Sequence, residues 1–343
     1  MSRVVSFGEI MMRLSPPGYS RFSQAMPGRV NMTFAGAEAN VSASLALLGI
    51  DTALVTAMPN HAIADACLAD LRRLGVQTKH IVRSPLGRLG LYFYEQGVNQ
   101  RPGNVIYDRE QSTISLLDTS AYDWNHIFED CQLFVISGIT PALSFSAAEV
   151  TKYAVKTAQQ AGIRVVCDLN YRSKLWRWDK AKSAQSLASE CMTELMKNVD
   201  VCICGIDDAV NILGVRREPE LHSIAVQMIE KFPQLSHIAF TLRDGSSSLE
   251  LKFGGALYDA HQQALHVAPP YSIPLVVDRL GAGDAFTAGI VFGLVREVSS
   301  KHIIRFATAA GCLAHSTEGD YHYSTQDEIE SLMHGDSGGR VSR

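Results

Sequence analysis

Residues 278–286 read DRLGAGDAF, and their types suit one kind of chemistry. Gly281, Ala282 and Gly283 carry almost no side chain, so the backbone N–H groups opening the helix AFTAGIVFGLV can face outward, where the helix dipole adds positive potential. That is a hole for an anion. Asp284 stands in the first turn of the same helix and can take the proton of a hydroxyl attacking a group held there, a role worth about 10² to 10⁴ in rate. The plainer reading is a turn in which Asp284 complements the helix dipole by about 0.3 to 1 kcal/mol. Neither GxxxxGK[ST] nor GxGxxG occurs, so the common nucleotide loops are absent.

Two further stretches carry polar groups at revealing places. FAGAEANVSASLALLG, residues 34–49, has a turn at Gly36, Asn40 early in a helix, and small residues along one face. VCDLNYRSKLW, residues 166–176, puts Asn170 and Arg172 directly after the strand-like run RVVCD. An arginine fork there suits a planar carboxylate, through charge-assisted hydrogen bonds worth about 1.5 to 3 kcal/mol. A surface arginine after a strand is the alternative.

These residues need elements to hold them. β-rich runs recur as RVVSFGEI, TALVTAM, CQLFVISG, IRVVCDLN, VDVCICG and HIAFTL. Helical patterns lie between most of them: Ala37 to Leu48, Ala62 to Leu74 and Ser146 to Ala161, each followed by a glycine. The alternation predicts an α/β fold with a mostly parallel sheet covered on both faces, and ligands beyond the carboxyl ends of its strands. Residues 11–34 and 86–114 break the rhythm, and GLYFYEQ and NVIYDRE alternate around a turn at RPGN. Together they predict a small antiparallel sheet able to close over a ligand, an ordinary hairpin excursion being the other reading.

The 343 residues are 46% hydrophobic and 19% charged, the balance of a globular chain with a large core. A net charge of −4 without a basic block suggests neither a nucleic-acid surface nor a polybasic membrane patch and points to small-molecule partners. No apolar run reaches the roughly 18 to 20 residues that span a bilayer, and Met1 to Gly8 reads as a strand, so a cytoplasmic location is expected. Seven cysteines, with only Cys202 and Cys204 close in sequence, read as reduced core thiols. The expected organisation is one domain over 1–335, with lid segments 11–34 and 86–114 and a flexible tail 336–343.

The glycine turn with Asn40, followed far downstream by D-x-x-G-A-G-D, resembles the two signatures of the ribokinase-like carbohydrate kinases. The resemblance runs from Phe7 to about Asp327. It implies a three-layer fold with a β-sheet lid, transfer of the ATP γ-phosphoryl group to a primary sugar hydroxyl, Asp284 as general base, and Gly281, Ala282 and Gly283 as the amides that hold the phosphoryl charge. DLNYR…LW, GLYFYE, VIYDR, FGEIMMRLSP and HSTEGDYHYST resemble the subgroup that phosphorylates 2-keto-3-deoxygluconate to its 6-phosphate. That implies Glu9, Gly36, Asn40, Tyr92, Tyr107, Arg109, Arg172 and Asp320 around the sugar acid. On the nucleotide it implies Asn170, Tyr171, Arg172, Gly281, Gly283 and Ala310, and it puts FTLRDGSSS in the place of a strand-end turn on the ATP phosphates with Thr241, Arg243 and Gly245, a plain strand-to-strand turn signalled by the DG being the other reading.

The pattern is broken twice. Relatives carry Asn-x-x-Glu near the Mg²⁺ and phosphates where this chain has Gly205-Ile206-Asp207-Asp208, which leaves Asp208 as the metal candidate with a helix N-terminal aspartate as its rival reading. They often carry Thr where this chain has Arg279. A kinase of a neutral sugar such as fructose, or a sugar-binding regulator without phosphoryl transfer, are the alternatives. Relatives often pair through the lid, which implies a homodimer or higher oligomer.

Overall fold

A computed structural model of the chain describes residues 3–247 and 250–335. The expected tail, 336–343, lies outside the described residues. Strands form at β1 (Arg3–Phe7), β2 (Met11–Ser15), β3 (Asn31–Ala35), β4 (Thr52–Pro59), β5 (Ile81–Ser84), β6 (Gly90–Glu95) and β7 (Asn104–Asp108). They continue with β8 (Cys131–Ser137), β9 (Arg164–Asp168), β10 (Val201–Cys204), β11 (His237–Ser247), β12 (Glu250–Asp259) and β13 (Ala264–Ile273). Nine of them make one sheet in the order β13-β12-β11-β10-β9-β8-β1-β4-β5. It is parallel from β11 through β5, with β12 and β13 added antiparallel at one edge.

The continuously apolar strands are explained by what covers them. Val5, Phe134, Cys167 and Ile238 pack on one face with the helices Phe145–Gln160, Ala184–Met196 and Leu221–Lys231. Their strand neighbours Val4, Leu133, Val166 and Ala239 pack on the other with Ala282–Val295 and Ser300–Ala314. Alternate residues thus enter opposite cores, as a sheet buried on both faces requires. Some helices begin where a side chain satisfies free N–H groups: Ser144 Oγ accepts from Ala147 N at 3.0 Å, and Thr325 with Glu328 forms a reciprocal capping box. All seven cysteines are free thiols, five of them buried. Among the described residues no helix is long and apolar enough to cross a membrane.

The two irregular stretches supply a separate four-stranded sheet, ordered β3-β2-β6-β7. Its β2–β3 and β6–β7 pairings are antiparallel as expected, whereas the central β2–β6 pairing is parallel, because both strands are supplied by different insertions running the same way. A second difference lies at the DG of FTLRDGSSS. It is not a strand-end turn: β11 runs on to Ser247, paired to β12.

Candidate active site

Asp284 is the third residue of the helix Ala282–Val295, whose N-cap is Gly281 at φ 79°. A Cβ on Gly281 would stand 2.0 Å from the carbonyl oxygen of Asp320, so left-handed backbone and close approach together require glycine. Asn40, in the first turn of the helix Ala37–Leu47, reaches across and donates from Nδ2 to Asp284 Oδ2 at 2.6 Å. Its Oδ1 accepts the Gly36 N–H at 3.2 Å, which fixes the amide's orientation. Gly36 lies against the end of β1, where a Cβ would meet the Glu9 carbonyl oxygen at 2.0 Å. Burial pushes the Asp284 carboxyl up to about 7, against the opposing pull of Asn40 and Arg172 and with the help of Asp320 and Glu38.

Asp284 closes one end of a cleft of about 940 Å³. Asn170, Tyr171, Arg172, Thr241, Arg243, Gly281, Gly283 and Asp208 all line it, so most of the expected nucleotide residues come together. Arg243, on β11, brings its Nη2 to 3.3 Å from where a Cβ of Gly283 would stand, which sets a cation over the helix N-terminus. Its guanidinium carbon is 5.7 Å from the Phe253 ring centre. Asp168, at the carboxyl end of β9, was not singled out by the sequence. Burial and then the neighbouring Asp284 and Asp208 charges push it up to about 7. Thr287 Oγ1 donates to it at 3.3 Å and the Asn170 N–H at 3.1 Å. Asp208, in the short helix Ile206–Asn211, is likewise raised, chiefly by burial.

One expected nucleotide contact, Ala310, is not among the described residues lining this cleft. Ala310 is 1% exposed and packed in the apolar core beneath the sheet, where the small residues of FATAAGCLA seat their helix tightly. Gly245 falls in β11, where pairing with β12 shifts register between Asp244 and Ser247.

Beneath the lid sheet the polar groups are paired with one another. Arg109 Nε donates to Glu9 Oε2 at 2.7 Å, both side chains being buried. Glu9 Oε1 is buried without a hydrogen-bond partner. Tyr92 donates its hydroxyl to Asp320 Oδ1 at 2.8 Å, and Arg13 from β2 binds both Asp278 and Asp320 at 2.6 Å. Tyr107, whose ring lies 5.5 Å from the Arg109 guanidinium, lines with Arg109 a second cavity of about 440 Å³ that also takes in Lys174 and Trp178. Arg109 and Arg172, the two arginines expected around one carboxylate, therefore line different cavities. Glu38 is buried behind this region, raised by burial while Ser137 Oγ donates to it at 2.6 Å and Thr140 Oγ1 at 3.1 Å.

Three residues of these polar networks, Asp168, Arg13 and Glu38, were not singled out by the sequence. Asp168 was within reach, since it ends a strand whose carboxyl edge was expected to carry ligands. Glu38 sits inside the quoted GAEAN, but nothing local distinguishes it from a helix-turn acid. Arg13 has no local signal, its partners being 265 and 307 residues away.

A doubly covered α/β sheet with a lid, and a cleft ending at glycine-opened helix amides, defines a class of small-molecule phosphotransferase. The family model of the pfkB family carbohydrate kinases matches residues 1–327, and the chain belongs to that family. It is 31% identical to the 2-dehydro-3-deoxygalactonokinase of Haloferax volcanii, over 98% of each chain. It is 26% identical to the 2-dehydro-3-deoxygluconokinase of Bacillus subtilis, covering 96% of this chain and 94% of that one. The crystal structure of 2-dehydro-3-deoxygluconokinase from Thermotoga maritima superposes with a TM-score of 0.91 at 36% identity, covering 97% of this chain and 98% of that one.

Proposed function

We propose that the protein transfers the γ-phosphoryl group of ATP to the terminal hydroxyl of a 2-keto-3-deoxy sugar acid, with 2-keto-3-deoxygluconate as the principal substrate and its 6-phosphate as product. The observation that carries this reading is Asp284 at the first turn of the glycine-opened helix, held by Asn40 and facing the cleft. The names of the relatives support the substrate class, and the two acids they name differ in the configuration at a single carbon.

Asp284 takes the proton as the hydroxyl oxygen attacks phosphorus and the bond to the ADP oxygen breaks. A carboxylate raised to about 7 is a stronger base than an ordinary aspartate and still largely ionised just above neutrality. The amides of Gly281, Ala282 and Gly283, with Arg243 and Arg172, carry the charge spreading over the phosphoryl oxygens. Mg²⁺ is read as the accompanying ion. Among the described residues no group of three His, Cys, Asp or Glu side chains could cage a metal. Asp168 and Asp208, facing one cleft, nevertheless fit an ion that binds through one or two carboxylates plus phosphates and water. They are the residues that would hold it, and it would neutralise phosphate charge.

Glu9, Gly36, Asn40, Tyr92, Tyr107, Arg109 and Asp320 are read as the surroundings of the sugar. One observation favours a second reading, a neutral sugar such as fructose: the Arg109 charge is already balanced by Glu9. The purified protein with ATP and a panel of 2-keto-3-deoxygluconate, its galactonate epimer, fructose and ribose separates the two by ADP release. Highest kcat/KM on a sugar acid is expected, and highest kcat/KM on fructose would replace the reading.

Residues 1–335 are read as one kinase unit working in the cytoplasm. Pairing through the lid is supported by Met32 and Ile106, which lie 53% and 51% exposed on β3 and β7. Light scattering after size exclusion tests it, with a monomer as the refuting result.

A further inference from the structure

We infer that Arg13 is a positioning residue: through Asp278 and Asp320 it ties lid strand β2 to both flanks of the Gly281–Gly283 turn and so sets the amides that face the transferring phosphoryl group. The inference rests on the reading of that turn as the phosphoryl hole.

The connection can be followed atom by atom. Arg13 is 3% exposed, and its two terminal nitrogens go to different carboxylates, Nη2 to Asp278 Oδ2 and Nη1 to Asp320 Oδ1, each at 2.6 Å. Asp278 is fully engaged. Its Oδ1 accepts the N–H groups of Arg279 at 2.7 Å and Leu280 at 3.1 Å, and its Oδ2 also accepts the Gly319 N–H at 3.2 Å. The carboxylate therefore shapes the two residues that lead into Gly281. Asp320 meets the turn from the other side, its carbonyl oxygen 2.0 Å from where a Gly281 Cβ would stand. Gly281 is thus confined between two segments held by one guanidinium.

The lid also fixes the guanidinium itself. It lies 4.8 Å from the Tyr94 ring centre, and Tyr92 donates to the same Asp320 oxygen that Arg13 binds. Burial works against the Arg13 charge, but Asp320 and Asp278 outweigh it and raise its pKa, so the guanidinium stays charged throughout the working pH range. A lysine cannot reproduce the arrangement, since its single ammonium lacks the planar fork that meets two carboxylates at once.

The test is steady-state kinetics on Arg13→Lys and Arg13→Gly with the sugar acid and ATP. For Arg13→Lys we expect kcat to fall about 10-fold or more while both KM values stay within about 3-fold, the pattern of a loss confined to the transition state. Arg13→Gly is expected to lose about 10²-fold, as a misplacement of about 1 Å does, and to regain part of it with added guanidinium at non-denaturing concentration. Wild-type kcat in Arg13→Lys, or a loss carried only by the KM of the sugar acid, overturns the inference. If Arg13→Gly does not fold, Arg13→Lys still decides. Should Asp284→Asn retain turnover, the base reading falls whatever Arg13 does; should it be inactive while Arg13→Lys is wild type, only the Arg13 inference falls.

Discussion

The two sides of Asp284 handle charge in opposite ways. Toward the cleft, Asp168 and Asp208 share an open volume of about 940 Å³ with Arg172 and Arg243, and burial leaves both carboxylates easier to protonate than usual. Toward the lid, Glu9 is ion-paired to Arg109, and Arg13 to Asp278 and Asp320, inside the protein. The cleft suits a ligand that brings its own charge and counterion, such as a nucleotide triphosphate with a divalent metal. The lid side suits a ligand that brings hydroxyl groups, for which a preset polar frame costs little reorganisation.

The largest expected effect falls at the boundary. Asp284→Asn should bind ATP as before and lower kcat by about 10² or more, measured by ADP release. Wild-type turnover would remove Asp284 as the base. Next comes the lid side: Arg109→Leu strands Glu9 as a buried charge and should cost about 3 to 5 kcal/mol in urea unfolding, so a loss below about 1 kcal/mol would show that the pairing there is not structural. On the cleft side Arg172→Leu should behave conversely. Its side chain is exposed, so stability should change by no more than about 0.5 kcal/mol, while the KM for ATP rises about 10-fold. A larger loss on the sugar acid than on ATP would move Arg172 across the comparison.

The smallest effect is a shift in pH dependence. On the proposed base role the proton-free form of Asp284 is the working one, so kcat/KM should rise through about pH 7 and then level. Asn40→Ala removes a bond that lowers the carboxyl's pKa and should move this limb to higher pH. An unmoved limb with a raised sugar KM would make Asn40 a sugar contact instead. Stability runs the other way. The folded values of Asp168 and Asp284, about 7, exceed the unfolded value near about 4. Their contribution is complete below that lower value and is lost as pH rises through about 7.

The sequence disclosed the elements that depend on local pattern. Apolar runs marked β1, β4, β8, β9 and β10, and Gly49, Gly75 and Gly162 end helices at φ between 72° and 88°. Asp284 and Asn40 were legible because small residues clear space around a polar group. Ala310 falls outside the cleft lining, and a small-residue helix looks the same in sequence whether it borders a ligand or a second helix. The DG of β11 was misread because that dipeptide is a turn only where pairing ends, and pairing is a property of the partner strand. The Arg13 network, assembled from three distant segments, left no trace in any window of sequence.

The raised thiols have a practical consequence. Burial pushes the thiols of Cys67 and Cys131 up to about 12 and those of Cys191 and Cys312 to about 11. At neutral pH almost none is thiolate, the form that alkylating reagents attack. These four thiols should therefore react slowly with iodoacetamide, and each label acquired at the buried Cys67 or Cys191 should record a moment when a molecule had opened.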